Sequence, residues 1–133
     1  MNKLNGHIQE IDVSGSLSLI TIRVGDALQL KSIVIETPET AEWLREGNPV
    51  KVLFKETEVV IGTGDNLSIS LQNRMKGDIT KIERGRLISR VFVGTPAGVI
   101  ISVISTNAVN QLNLAKGKTV TAMVKLNEIM LSE

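Results

Sequence analysis

The sequence predicts an all-β protein made of two tandem five-stranded barrels, each with one short helix. Three observations predict this fold class. The 133 residues repeat at an interval of about seventy, apolar residues alternate over short β-branched runs, and glycine-rich turns separate those runs. With 42% hydrophobic and 22% charged residues, the composition is that of a folded globular protein.

The repeat divides the chain into two similar units. Residues 6–11 match residues 77–82 at an offset of 71, and later positions match at an offset of 70. We expect the residue that one unit gains or loses to lie in a turn between the first matched block and the matched glycines Gly15 and Gly85. The predicted units are residues 1–64 and residues 65–133. The later matches are Gly15 with Gly85, Ser32 with Ser102, Gly47 with Gly117, Val50 with Val120, and residues 55–59 with residues 125–129.

Period-two runs predict four strands in each unit. Turn signals such as Gly-Asp and Gly-Asn separate these runs. Short strands of this number and spacing are typical of a small barrel. In the first unit the predicted strands are 17–24, 28–35, 50–55 and 59–61, and in the second they are 87–93, 99–104, 119–125 and 129–131.

Each unit also carries signals for one short helix. Thr37 is a candidate N-cap with Pro38 at the first helical position, and Gly47 stands where a C-terminal glycine belongs. In the second unit Ser105 or Thr106 is the candidate cap. Short strands plus one short helix in about seventy residues predict an OB-like barrel.

Composition excludes several classes of function. The chain has no cysteine, which removes disulfides and thiolate metal sites and fits a cytoplasmic location. The chain has no run of 18 apolar residues, the length needed to cross a membrane, and residues 1–6 lack the apolar core of a secretory signal. Only three aromatic residues occur, too few for a base-stacking surface, so we expect no nucleic-acid partner.

We also expect no enzymatic activity. His7 is the single histidine, and its counterpart in the second unit is Asp78. Catalysis at His7 would require partner residues that no motif marks, so a structural or solvent-exposed role is favoured. The sequence contains no phosphate loop, paired-acid signature or metal-ligand spacing.

The net charge of +1 conceals an asymmetry. Residues 1–66 carry six Lys/Arg against ten Asp/Glu, a balance of −4, whereas residues 67–133 carry nine against four, a balance of +5. These charges could simply be solvated faces of two unlike units. Alternatively, the acidic half of one chain packs on the basic half of another, and the basic half attracts a small anion.

Polar residues recur at matching places in the two units. Ser32 and Ser102 lie inside apolar strands, and Lys55 and Lys125 end matching strands. Hydroxyls, backbone N–H groups and a lysine are the donors that a tetrahedral dianion needs. The alternative is that these serines face solvent and these lysines extend from strand edges into water.

The second unit contains a series of motifs in residues 68–77, 82–85, 99–105, 112–122 and 125–129, and Ser70-Leu71-Gln72-Asn73 lies within the first of these segments. In order and spacing these motifs resemble the molybdenum–pterin-binding (Mop) or TOBE domain family. Two copies in one chain resemble a di-Mop molbindin over essentially all 133 residues. The resemblance implies an OB-like barrel that binds molybdate or tungstate at sites between subunits, and it implies a closed homo-oligomer, with a trimer favoured.

The resemblance also implies the residues that bind the oxyanion. The segment Ser70–Asn73 matches the family's opening motif, with Gln72 at the position where the family has arginine. In the first unit only Asn2 matches this opening. Asn127 of the second unit stands at the position of Thr57 and lacks its hydroxyl. We therefore expect the tightest site to combine the Ser70–Asn73 opening of one barrel with Lys55 and Thr57 of another. The full set of candidate oxyanion-binding residues is Ser70, Gln72, Asn73, Lys55, Thr57, Lys125, Ser102, Ser105 and Ser32.

The function expected from the sequence is cytoplasmic binding of molybdate or tungstate for storage or homeostasis. The alternative is a detached regulatory or assembly module of a molybdate-responsive system, with weak or no anion binding. We expect neither a nucleic-acid nor a membrane partner.

Overall fold

A computed structural model describes residues 1–133 and contains ten strands in two antiparallel five-stranded sheets. A 3-10 turn follows the fourth strand at Glu56–Glu58 and the ninth at Leu126–Glu128. One α-helix, α1, spans Thr106–Gln111. The strands are β1 Asn2–Ser14, β2 Leu17–Val24, β3 Leu28–Val34, β4 Pro49–Phe54, β5 Val60–Gly62, β6 Asn73–Arg84, β7 Ile88–Thr95, β8 Gly98–Ser105, β9 Thr119–Val124 and β10 Met130–Ser132.

The two sheets exchange their last short strands. The first sheet has the order β10-β4-β1-β2-β3, and the second has the order β5-β9-β6-β7-β8. Thus Met130 of β10 lies opposite Leu53, and Val60 of β5 lies opposite Met123. The predicted boundary between residues 64 and 65 follows the sequence repeat. Each sheet nevertheless includes one strand from the other side of this boundary, β10 in the first sheet and β5 in the second.

The remaining strands repeat the same pairing in both units. Ile8 lies opposite Ile22 and Ile79 lies opposite Val93, with a bulge directly after Ile8 and after Ile79. A bulge at this point bends the long strand and increases its twist, which helps a narrow sheet to curl. The all-β prediction and the predicted strands are confirmed.

The position of the one-residue change differs from the prediction. Val13 lies opposite Ser18 and Arg84 lies opposite Ser89, so the offset of 71 persists through β2 and β7. Gly15 therefore corresponds to Arg86 and not to Gly85. Three residues, 25–27, join β2 to β3, but only residues 96–97 join β7 to β8. The repeat loses its residue in that second turn.

The short helix forms in the second unit only. Ser105 is its N-cap and accepts a hydrogen bond from the Ala108 N–H at 3.0 Å. In the first unit Thr37 starts a series of turns instead of a helix. The Thr37 N–H donates to the Thr40 hydroxyl at 2.9 Å and the Ala41 N–H donates to the Thr37 carbonyl at 2.9 Å, as at the start of a helix. The Pro38 carbonyl, which the next helical bond would use, accepts instead from the Arg45 guanidinium at 2.8 Å, so the first turn does not continue.

A single apolar cluster of 24 buried residues joins the two units. Ile22 and Phe54 of the first unit are fully buried in it, as are Val91 and Ile100 of the second. A separate barrel of about seventy residues would bury only a small core, so a shared core supplies stability that each unit would lack alone. None of the helices is long and apolar enough to cross a bilayer.

Candidate functional site

Two buried asparagines join the units at equivalent places. The Asn73 amide donates to the Lys31 carbonyl at 2.8 Å and accepts from the Lys31 N–H at 2.7 Å. Asn2 makes the same pair of bonds to Ile101, at 2.8 and 2.9 Å. Both amides thus pair with the backbone of an edge strand in the other sheet. The side-chain amide of Asn73, a predicted oxyanion donor, thus uses its oxygen and one N–H on the Lys31 backbone.

Ser32 and Ser102 anchor the segments that lead into the exchanged strands. The fully buried Ser32 hydroxyl donates to the Ile129 carbonyl at 2.8 Å, and the Ser102 hydroxyl donates to the Val59 carbonyl at 2.7 Å. Each hydroxyl hydrogen is therefore committed inside the protein. The two serines occupy matching positions, as the repeat predicted.

Lys55 and Lys125 precede 3-10 turns that pack against different edge strands. Residues 56–58 pack against β8, and residues 126–128 pack against β3. Because Asn73 lies opposite Val124, the Ser70–Asn73 opening is adjacent to Lys125. Asn2 lies opposite Phe54, so Lys55 is adjacent to the shortened opening. Within one chain, Lys125 and not Lys55 thus follows the strand that pairs with the Ser70–Asn73 segment.

The exposed members of the predicted set remain available to a ligand. Ser70, Gln72, Lys55, Thr57 and Lys125 all have exposed side chains. Neither lysine forms an ion pair in the structure. Ser105 is also exposed, but its hydroxyl accepts the α1 cap bond described above.

An ion-pair network that the sequence did not reveal lies beside the first 3-10 turn. Arg90 contacts Glu56 at 3.2 Å and Glu83 at 2.9 Å. Burial raises the pKa of Glu56, but hydrogen bonds from the Met1 amine and from Arg90 lower it by more than burial raises it. The pKa of Glu56 therefore lies below its ordinary value. Hydrogen bonding to Glu56 raises the pKa of Arg90. Glu56 is thus held as a carboxylate in the folded state.

A cleft of about 420 Å³ lies where the segment before β6 crosses β3. We call it the linker cleft. It contains the predicted Gln72 together with Lys31 and Arg74, and no carboxylate lines it. A cleft with two cations and no acidic residue has a positive potential that favours a small anion. Its lining residues are Gln29, Lys31, Ile69, Leu71, Gln72, Asn73 and Arg74.

Arg74 and Lys31 were not among the predicted site residues. Lys31 reaches the cleft because Asn73 fixes its backbone there. Arg74 directly follows Asn73 in the chain, and its guanidinium holds the preceding segment through carbonyl groups. The available signal was an arginine that follows eight residues without a carboxylate, residues 66–73, so that the acceptors nearest in the chain are uncharged oxygens.

Comparison with known proteins agrees with this architecture. The TOBE domain model matches residues 69–131. A probable molybdenum-pterin-binding protein of Haemophilus influenzae is 35% identical over 65 residues, which cover 48% of this chain and 94% of that protein. The chain belongs to the molybdenum-pterin-binding and TOBE domain family.

Two further relatives of this Mop/TOBE chain cover nearly all of it. The molybdenum transport protein ModE of Herbaspirillum seropedicae is 29% identical over 133 residues, 98% of this chain and 49% of that protein. The chain thus spans about half the length of ModE. The solved structure of the cytoplasmic molybdate-binding protein ModG with molybdate bound superposes with a TM-score of 0.91 at 23% identity, covering 98% of this chain and 94% of ModG. That likeness shows a shared fold.

Proposed function

We propose that this chain binds molybdate, or the closely similar tungstate, as an intact tetrahedral oxyanion and does so without catalysing a reaction. The observation that carries the proposal is the linker cleft, which holds Lys31 and Arg74 and no carboxylate in a chain of the Mop/TOBE family. Relatives in that family are named for molybdenum-pterin binding, and ModE is named for molybdenum transport. The role we propose is storage or homeostasis, and a cytoplasmic location agrees with the description of ModG as cytoplasmic.

The donors around the cleft suit a dianion. Ser70 contributes a hydroxyl and Gln72 an amide, and both side chains are exposed. Lys125 directly follows Val124, which lies opposite Asn73, so Lys125 adds a cation near the Ser70–Asn73 segment. Burying a dianion without such donors and cations would be costly, because the desolvated charge would be left unpaired. Binding through hydrogen bonds and ammonium groups should also be reversible.

A second copy of the chain completes the proposed site. In the single chain Lys55 and Thr57 lie away from the Ser70 opening, so they could reach it only from another copy. Large apolar side chains are exposed at the rims of both sheets, including Ile35 at 80% and Leu87 at 69%. Exposed apolar groups of this size favour burial between copies. We therefore propose a closed homo-oligomer, with a trimer favoured by the family resemblance.

Isothermal titration calorimetry tests the proposal directly. The full chain should bind molybdate and tungstate and should discriminate against sulfate. Replacing Lys55 and Lys125 together with alanine should abolish binding while light scattering shows the same oligomer. Lys116→Ala is the matched control, because Lys116 is exposed in the same basic half and makes no ion pair. A folded wild-type oligomer that binds no molybdate would contradict the proposal and favour the regulatory or assembly module.

A further inference from the structure

The guanidinium of Arg74 holds three carbonyls of the segment that precedes it. Its Nε donates to Leu71 at 2.7 Å, one terminal nitrogen donates to Leu67 at 3.0 Å, and the other donates to Ile69 at 2.8 Å. The planar fork of arginine presents donors in several directions at once, so one side chain can curl a segment around itself. We call residues 67–72 the linker arc.

The carbonyl contacts determine where the alternate N–H groups of the linker arc point. All peptide bonds in the chain are trans, and in a trans peptide the N–H points away from the carbonyl of the same unit. Since the carbonyls of residues 67, 69 and 71 point at Arg74, the N–H groups of Ser68, Ser70 and Gln72 point away from it. None of these N–H groups donates to a backbone acceptor in the structure. The outer side of the linker arc is thus a row of free donors.

The charge of Arg74 lies on the inner side of this row without a carboxylate partner. No ion pair of the structure includes Arg74, and the neighbouring pair of Lys76 with Asp65 is separate and exposed. Carbonyl acceptors satisfy the donors of the guanidinium but leave its positive charge in place. An anion outside the linker arc would therefore meet outward-pointing N–H groups with a positive charge behind them.

We propose that Arg74 is the positioning residue of the anion site, because it shapes the linker arc so that the N–H groups of Ser70 and Gln72 face outward, toward the oxyanion. This role rests on the proposed function. It differs from that of a ligand, since the guanidinium faces the carbonyl side of the linker arc. The pre-organised donors lose little conformational freedom on binding, which increases affinity.

Three variants of the full chain separate shape from charge. Arg74→Ala removes both the fork and the charge, and Arg74→Lys keeps the charge but cannot reach three carbonyls. Arg86→Ala is the matched control, because Arg86 is an exposed turn residue without an ion pair. Molybdate affinity is measured by calorimetry, order in residues 68–72 by heteronuclear NMR relaxation, and folding by thermal unfolding.

The expected result is a loss of affinity of about tenfold or more in both Arg74 variants, with faster backbone motion confined to the linker arc. Arg86→Ala should bind within about twofold of the wild type, as expected for an exposed charge at a distance. If the wild type binds molybdate and either Arg74→Ala or Arg74→Lys binds it with the same affinity, the positioning role is overturned and the proposed function stands. A wild-type chain that binds no molybdate would overturn the proposed function and this role with it.

Discussion

The side-chain amide of Asn73 forms two hydrogen bonds with the backbone of Lys31, 42 positions earlier in the chain and in the other sheet. One bond satisfies the Lys31 N–H and the other its carbonyl, on an edge strand where no further strand pairs. The contact therefore does two things. It joins the two units, and it places Lys31 in the linker cleft beside Gln72.

Replacing Asn73 with alanine should lower the free energy of unfolding by about 2–3 kcal/mol, because two backbone groups of Lys31 lose their partners. Urea unfolding followed by circular dichroism measures the change. Asn5→Ala is the control, since Asn5 is exposed on β1 and its side chain makes no hydrogen bond. Equal stability of the two variants would show that water replaces the Asn73 amide without cost.

Ser102→Ala should destabilise the protein by about 1–2 kcal/mol, because the Val59 carbonyl would lose its buried donor. The exposed turn residue Ser16 supplies the control variant, Ser16→Ala. Molybdate affinity measured on the same samples tests whether the Ser102 hydroxyl also takes part in binding. Unchanged stability together with lost affinity would assign Ser102 to the ligand instead of to the β5 segment.

The two units should unfold together, because each sheet contains a strand from beyond the predicted boundary. Trp43 is the single tryptophan and packs on the core from the first unit. Val91→Ala removes a fully buried side chain of the second unit and should cost roughly 1–3 kcal/mol. The Trp43 fluorescence transition should shift by the same amount as the circular dichroism transition. A Trp43 transition that stays in place would mean that the units unfold separately.

The contribution of Glu56 to stability should disappear in acid. Its pKa in the folded protein is lowered, so its stabilising effect is present above the ordinary carboxyl pKa and is lost as the pH falls through the lowered value. Glu56→Gln should therefore be less stable than the wild type near neutral pH, and the difference should vanish at low pH. Thermal unfolding across the pH range measures this, with Glu10→Gln as an exposed control. A difference that does not change with pH would contradict the ionic role of Glu56.

Local pattern was sufficient for most of the strands. Alternating apolar residues and turn glycines determine strands wherever one face must be buried, and Ile20 and Ile22 are fully buried as their spacing requires. The same kind of signal misled at Thr37, because the Arg45 side chain binds the Pro38 carbonyl that a continuing helix would use, although the Thr40 hydroxyl caps Thr37 as at a helix start. Matching Gly15 to Gly85 failed for a related reason, since strand register and not residue identity decides which turn loses a residue.

The sequence by itself determined the repeat, the all-β class and the family resemblance, because each depends on residue type and short-range spacing. Only the tertiary structure decided which sheet receives β5 and β10, since three-residue strands carry too little pattern to specify a partner. It also decided that Asn73 binds Lys31 and that Arg74 holds the linker carbonyls. Those contacts join residues that are distant in the chain or depend on the curl of a loop, and neither follows from the order of amino acids in a single strand.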